Sequence, residues 1–205
     1  MEDVRDLKAL QLDALREVAN IGAGHAATAL SQLTNRRIMI SVPQINISRL
    51  EEVPDILGTP QDVVAAVLMH MLGDLTGRTL LLFPERVARR VCDMLLRRAA
   101  GSTVAFDAIE QSALKEAGNI LSGAYMNALS DFMGMLLLPS VPSLVVDLSA
   151  AVLTTTYLNF GHDRDFVFCV ETEFRIDAEE ALRGHFLLLP DMASLKAIFD
   201  AIRLS

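Results

Sequence analysis

An internal repeat constrains the fold of this chain more than any other feature of its sequence. Within the windows 9–35 and 108–134, ten of 27 positions are identical when the sequence is shifted by 99 residues. The same shift superposes several polar residues and one tripeptide: Asp13 on Ser112, Glu17 on Glu116, Asn20 on Asn119, Gly24 on Gly123, and Ser-Val-Pro 41–43 on Ser-Val-Pro 140–142. The chain is therefore an internal duplication.

Both copies predict the same order of elements: a long amphipathic helix, a short strand ending at Ser-Val-Pro, a hairpin, and a closing helix that begins after a proline. Prolines 84 and 190 align at a slightly larger shift, and each is placed to open a helix. The predicted helices and strands are helices 5–35, 85–99, 106–134 and 191–203, strands 62–72, 78–83, 165–175 and 184–189, turns 73–77 and 177–180, and a further helix over 143–156.

The repeats, at about 5–100 and 106–205, are expected to share one sheet because neither copy alone buries both faces of its elements. The predicted fold class is α+β. We expect a single pseudo-two-fold domain over 1–205, with a mainly antiparallel β-sheet, two long amphipathic helices and smaller closing helices.

Composition excludes several classes of function. The chain has 18 Lys and Arg against 26 Asp and Glu, a net charge of −8, which argues against nucleic acid as the main partner. No apolar run approaches about 18 residues, so no membrane insertion is expected. The two cysteines, Cys92 and Cys169, have no metal-like or redox-like spacing and predict reduced thiols. The charged start of the chain does not resemble a signal peptide, and a cytoplasmic location is expected.

The duplicated polar residues share the side of each long helix that faces away from the predicted core. A single Glu/Asn pair on a helix is typical of a solvated face, which drifts after duplication, yet these pairs persist in both copies. Asn is a mediocre helix former, and Gly24 and Gly123 each weaken a helix by about 1 kcal/mol relative to Ala. Retention of such unfavourable residues twice indicates a docking site.

The spacing of Glu and Asn favours one kind of chemistry. Residues at i and i+3 are neighbours on a helix surface, about 4.5 Å apart along the axis. The carboxylate can pair with a partner's lysine, and the amide, which both donates and accepts hydrogen bonds without titrating, can orient a water. Since an amide is a poor nucleophile and a poor base, the substrate must already be activated, as an acyl phosphate is.

At these residues the chain resembles the CheC-like phosphatases, whose motif has Asp or Ser, then Glu, Asn and, 22 residues later, Pro. The resemblance covers essentially the whole chain, and the motif occurs twice: Asp13, Glu17, Asn20 and Pro43, then Ser112, Glu116, Asn119 and Pro142. It implies a phosphatase acting on phosphorylated CheY, with each Glu on the regulator's lysine and each Asn orienting water. The Mg²⁺ is expected in the regulator, with no cofactor of the chain's own, and Asp13, Ser112 and the two glycines are expected to contact the partner.

Two related proteins and two further functions are the alternatives to this interpretation. The single-site relative CheX is disfavoured by the second motif, and FliY by the lack of an additional switch domain. Family members also bind the deamidase CheD, so an adaptor that regulates CheD is the alternative function, and a structural part of the flagellar switch is a third. The four histidines are scattered, and no metal site is predicted.

Overall fold

The computed structural model describes residues 9–49, 61–158, 166–176 and 180–204, and these form five helices and eight strands. The elements of the first repeat are α1 (Ala9–Thr34), β1 (Ile38–Ile40), β2 (Gln44–Arg49), β3 (Val63–Gly73), β4 (Gly77–Pro84) and α2 (Glu85–Leu95). Those of the second repeat are α3 (Ala108–Met133), β5 (Leu137–Pro139), β6 (Ser143–Leu148), α4 (Ser149–Leu158), β7 (Phe166–Ile176), β8 (Glu180–Pro190) and α5 (Met192–Leu204).

The eight strands form one antiparallel sheet in which the repeats exchange strands. The order is β1-β7-β8-β4-β3-β5, with β2 also on β7 and β6 also on β3. The short strands of the first repeat therefore pair with the hairpin of the second, and those of the second pair with the hairpin of the first. Since each hairpin borrows its outer neighbours from the other copy, neither repeat completes its own part of the sheet.

The centre of the sheet is the pairing of β4 with β8, where the two hairpins meet. The pairs Leu80–Leu187 and Leu81–Phe186 lie opposite each other. A shift of 106 residues carries Leu80 onto Phe186 and Leu81 onto Leu187, so the two pairs exchange with one another. The pseudo-two-fold axis predicted from the repeat therefore passes between these pairs.

The sheet carries helices on both faces. Alternate residues of a strand point to opposite faces, and on β3 Ala65 and Val67 pack with α1, α2 and α3, whereas Val64 and Ala66 pack with Val152 of α4. Helix α5 packs with α1 on the first face. The main core thus lies between the sheet and the two long helices, which makes those helices the outer layer on that side.

The predicted α+β fold class is confirmed, and several predicted boundaries are corrected. Helix 85–99 ends at Leu95, because Arg97 adopts φ 55° and its amide bonds to the Met94 carbonyl. The predicted helix 143–156 is wrong over its first half, where β6 forms on β3, and α4 begins at Ser149. The predicted strand 184–189 is longer, and β8 takes in Glu180; residues 177–179 of the predicted turn lie outside the described part.

None of the helices in the described ranges is both long enough and apolar enough to cross a bilayer.

Candidate functional site

Helices α1 and α3 pack against each other through one face and leave the opposite face open. The inward residues of α1 are apolar and small, and Leu15, Val18, Ala19 and Ala26 are all buried. A Cβ added to Gly22 would lie 2.7 Å from Tyr125 Cδ1 and 3.0 Å from its Cα, which places the helix contact here. At the end of α1 the inward face is less covered, and Leu33 is 39% exposed.

On α1, the outward face carries the first Glu/Asn pair. Both Glu17 and Asn20 are exposed, and neither side chain has a hydrogen bond or ion pair with another described residue. Asp13, one turn earlier, is held at 2.9 Å by Arg16 on the same exposed surface. The carboxylate of Glu17 and the amide of Asn20 are therefore both open to an incoming group.

Helix α3 presents the second pair in the same way. Glu116 and Asn119 are exposed, without a side-chain partner in the described ranges, and Ser112 is exposed one turn earlier. The difference between the two surfaces is charge, because Ser112 stands where the first has Asp13. Each repeat thus brings the Glu, the Asn and the preceding polar residue onto one open helix face.

The outward glycines have no structural requirement for glycine inside the chain. A Cβ added to Gly24 or to Gly123 would meet no atom of the described residues within 4 Å, and neither glycine has a positive φ. Both lie one turn beyond the Asn of their helix. A glycine there keeps the surface beside each Asn free of side-chain bulk.

The Ser-Val-Pro tripeptides form β-bulges, which were not predicted from the sequence. Between the pairs Ile40–Phe174 and Gln44–Glu171 the first repeat advances four residues while β7 advances three. The second repeat does the same against β3, between the pairs that begin at Pro139 and Ser143. An extra residue on one strand disrupts the ladder locally and re-aims side chains. A proline inside an otherwise extended segment was the available signal, because Pro in a sheet is confined to edges and bulges.

Ser31 fixes where the first bulge lies relative to Asn20. Its hydroxyl oxygen accepts a hydrogen bond from the Ile38 backbone amide at 3.0 Å, which connects the start of β1 to the helix. Ser31 and Asn20 are eleven residues apart, so they lie on nearly the same side of the helix and about 16 Å apart. Five residues of extended chain cover about the same distance, which brings Pro43 to the level of Asn20. The 22-residue interval of the motif matches this distance in the first repeat.

The two prolines of the motif differ from the valines before them. Pro43 is buried and Pro142 is half-buried, whereas Val42 and Val141 are 72% and 88% exposed. In both repeats the serine amide bonds across to the other copy, Ser41 to the Glu173 carbonyl and Ser140 to the His70 carbonyl, each at 3.0 Å. The bulges are therefore anchored on both sides of the exposed valine.

Neither the cysteines nor a metal-ligand group in the described part of the chain competes with these residues. Burial raises the pKa of the Cys92 and Cys169 thiols to about 12, so neither supplies a thiolate near neutral pH. Over the described ranges, no three His, Cys, Asp or Glu side chains are grouped to hold a metal ion.

Comparison with known proteins identifies the family. The model of the CheC-like family matches residues 10–47 and 109–146, which contain both motifs. The CheY-P phosphatase CheC of Bacillus subtilis (strain 168) is 34% identical over 203 residues, covering 96% of this chain and 95% of that protein. The flagellar motor switch phosphatase FliY of the same organism is 29% identical over 129 residues, 62% of this chain and 33% of that protein.

The fold is also similar to a solved structure of a relative. The crystal structure of Thermotoga maritima FliY superposes with a TM-score of 0.79 at 22% identity, covering 97% of this chain and 98% of that one. At that identity the likeness shows the fold alone. The family is shown instead by the near-complete match to the Bacillus protein and by the two segments that match the family model. This chain belongs to the CheC-like family.

Proposed function

We propose that the chain is a phosphatase that removes the aspartyl phosphate of a CheY-like response regulator, at two sites, Glu17–Asn20 and Glu116–Asn119. The relatives named CheY-P phosphatase CheC and flagellar motor switch phosphatase FliY support the reaction class. The observation that carries the proposal is that each repeat holds its Glu and Asn on an open helix face, beside a glycine whose Cβ position is free of contact with the described residues.

The chemistry assigned to each pair follows from its groups. The Glu carboxylate pairs with a lysine of the regulator and orients the helix on it. The Asn amide then reaches the phosphoryl group and holds a water in line with the bond to be broken. The water oxygen bonds to phosphorus, the bond from phosphorus to the aspartyl oxygen breaks, and the carboxylate leaves with the electron pair. The water's proton ends on the inorganic phosphate.

The chain's contribution in this mechanism is positioning. An acyl phosphate has a good leaving group, so no nucleophile or strong base is required from the phosphatase. Charge on the phosphoryl oxygens is neutralised by Mg²⁺, which the regulator brings as part of the substrate. The exposed position of both Asn side chains is what such a role requires, since each must enter another protein's site.

The test compares Asn20→Ala, Asn119→Ala and the double variant, with Gln32→Ala as the matched control. Gln32 is an exposed amide on α1, three turns from Asn20. Loss of phosphate is followed from a purified regulator, phosphorylated with a small phosphodonor in the presence of Mg²⁺. We expect each single variant to keep part of the activity and the double variant to lose at least 100-fold, while the control equals the wild type. Wild-type activity in the double variant would refute the proposal.

Binding to a CheD-like deamidase is the second function proposed for this chain, in which it acts as an adaptor. The assay above separates the two, because an adaptor leaves the decay of the phosphorylated regulator unchanged in all three Asn variants. A titration of the chain with purified CheD then tests the adaptor function directly, and absence of a complex at micromolar concentrations would refute it.

A further inference from the structure

The two bulge valines are highly exposed to solvent, although an apolar side chain is more stable when it is removed from water. Val42 is 72% exposed and Val141 88% exposed, at equivalent positions of the two repeats. Isolated apolar residues on a surface are ordinary. Here, however, the exposed apolar residue occurs in both copies, at the same position of the same bulge. This repetition indicates a cause that is common to both copies.

The fold itself supplies only part of that cause. A residue before proline is held in extended backbone, which a β-branched side chain favours. That accounts for β-branching but not for an apolar side chain, because threonine satisfies the same backbone at an exposed position. Neither valine belongs to the buried core clusters of the described residues. Packing within the described part of the chain therefore does not explain why the two positions are apolar.

The bulges turn these valines toward the sites. Ile38 and Ile40 point to the helix-bearing face of the sheet, and Val42, two residues on, has the same parity. After the extra residue the parity changes, and Ile45 is the next to pack on that face. The geometry that sets Pro43 level with Asn20 sets Val42 there as well, on the Asn side of α1.

We propose that Val42 and Val141 are specificity-determining contacts of the phosphatase reaction, each touching the apolar rim around the regulator's phosphorylated aspartate. The inference rests on the proposed function, and it names a part of the partner surface that Glu and Asn do not reach. Each valine serves the Asn of its own repeat, because β1 and β2 lie along α1 while β5 and β6 lie along α3. The contact aligns the regulator before the amide enters.

The experiment uses one working site at a time. In an Asn119→Ala background only the first site remains, and in an Asn20→Ala background only the second. Val42→Thr and Val141→Thr are placed in each background, since threonine keeps the shape and the β-branching and removes the apolar contact. Rates are measured against the concentration of phosphorylated regulator. Val104→Thr, at a 79% exposed valine between the repeats, is the matched control.

In the Asn119→Ala background we expect Val42→Thr to raise KM about fivefold with kcat nearly unchanged, and Val141→Thr and Val104→Thr to have no effect. In the Asn20→Ala background the two site valines exchange roles. Val42→Ile, which keeps the apolar surface, is expected to restore the wild-type KM. Melting temperatures should stay equal because the side chains are exposed.

Two failures are distinguishable. If Asn20→Ala/Asn119→Ala is inactive and both valine variants behave like Val104→Thr, the valine contact is refuted and the proposed function stands. If the double Asn variant still hydrolyses the regulator's phosphate, the proposed function is refuted and the valine contact with it. A KM increase that appears equally in both backgrounds would also refute the assignment of each valine to its own site.

Discussion

In the middle of the two long helices, the surface positions match and the buried positions do not. Over the eight residues 17–24 and their equivalents 116–123, the four positions that are not fully buried in both repeats are identical: Glu17 and Glu116, Asn20 and Asn119, Ile21 and Ile120, Gly24 and Gly123. Ile120 is half-buried and packs on the core, so the outer face shared by both repeats consists of the Glu, Asn and Gly positions. The four buried positions all differ: Val18 and Ala117, Ala19 and Gly118, Gly22 and Leu121, Ala23 and Ser122.

The difference separates two kinds of constraint. A core tolerates new side chains when a neighbour changes in compensation, and Gly22 shows this, because it makes room for Tyr125 of the other helix. In the described ranges, the outward Glu and Asn side chains have no partner, and the outward glycines have no close neighbour, that could change in compensation. The identity of the outer positions therefore points to a constraint from a partner, whereas the inner positions are constrained only by the sum of their volumes.

The largest effect on stability is expected at Gly118, where the buried face of α3 lies closest to the sheet. A Cβ added to Gly118 would lie 2.4 Å from Val67 Cγ1 and 2.9 Å from Val67 Cβ, and Val67 is buried under the helix. Gly118→Ala should lower the free energy of unfolding by about 3 kcal/mol, since the whole valine must move. Urea denaturation measures this, with Ala19→Gly as the converse change at the equivalent position. A stability equal to the wild type would show that this contact is not tight.

The second prediction concerns the segment that connects the two repeats, which has no duplicate in the chain. The buried carboxylate of Asp93 accepts hydrogen bonds from the backbone amides of Gly101 and Thr103, with N–O distances of 2.7 and 2.8 Å. Burial raises the pKa of Asp93, but the hydrogen bonds from Thr103 and Gly101 lower it by more, and the pKa lies below the ordinary value of 3.8. A nearby ion pair, Arg98 to Glu110 at 2.5 Å, holds the start of α3 to the same connection.

We expect Asp93→Asn to destabilise the fold by about 2 kcal/mol at pH 7, since a buried charged acceptor of two amides is lost. A depressed carboxyl pKa gives stability that is complete above the unfolded-state pKa and disappears as the pH falls through the folded-state pKa. The difference between wild type and variant should therefore be constant above pH 5 and shrink below about pH 4. Denaturation midpoints from pH 7 to pH 3 measure it; a difference that grows in acid would contradict the assignment.

Much of the fold followed from the sequence because the repeat doubled every signal. Two copies of the helix pattern and of the proline after each hairpin predicted the long helices and the closing helices. The strand exchange was not predictable, since the choice between a copy's own hairpin and the other's depends on packing over the whole sheet. Segment 143–148 was misjudged because its apolar residues do not distinguish a strand from a helix, and pairing with β3 decided it.

For the candidate site, the sequence predicted the polar residues, which the structure places on open helix faces, but not the contacts that support those helices. Glu, Asn and Gly could be found because they repeat in register and oppose helix propensity. The function of Ser31, which ties β1 to the helix, was missed, because a serine near a helix end is ordinary and its partner is a backbone amide. The exposed valines were missed for a related reason: solvent exposure is set by the bulge, which appears only once the strands are paired.

The smallest expected change in stability, and the sharpest test of the outer face, is at Gly24 and Gly123. A Cβ at either position meets no described atom within 4 Å and leucine favours a helix, so the double variant Gly24→Leu/Gly123→Leu should raise the free energy of unfolding by about 1.5 kcal/mol. The same side chains stand beside each Asn where a regulator must approach, and we expect dephosphorylation to fall at least tenfold. If the variant is both more stable and fully active, these glycines are not required for contact with a partner.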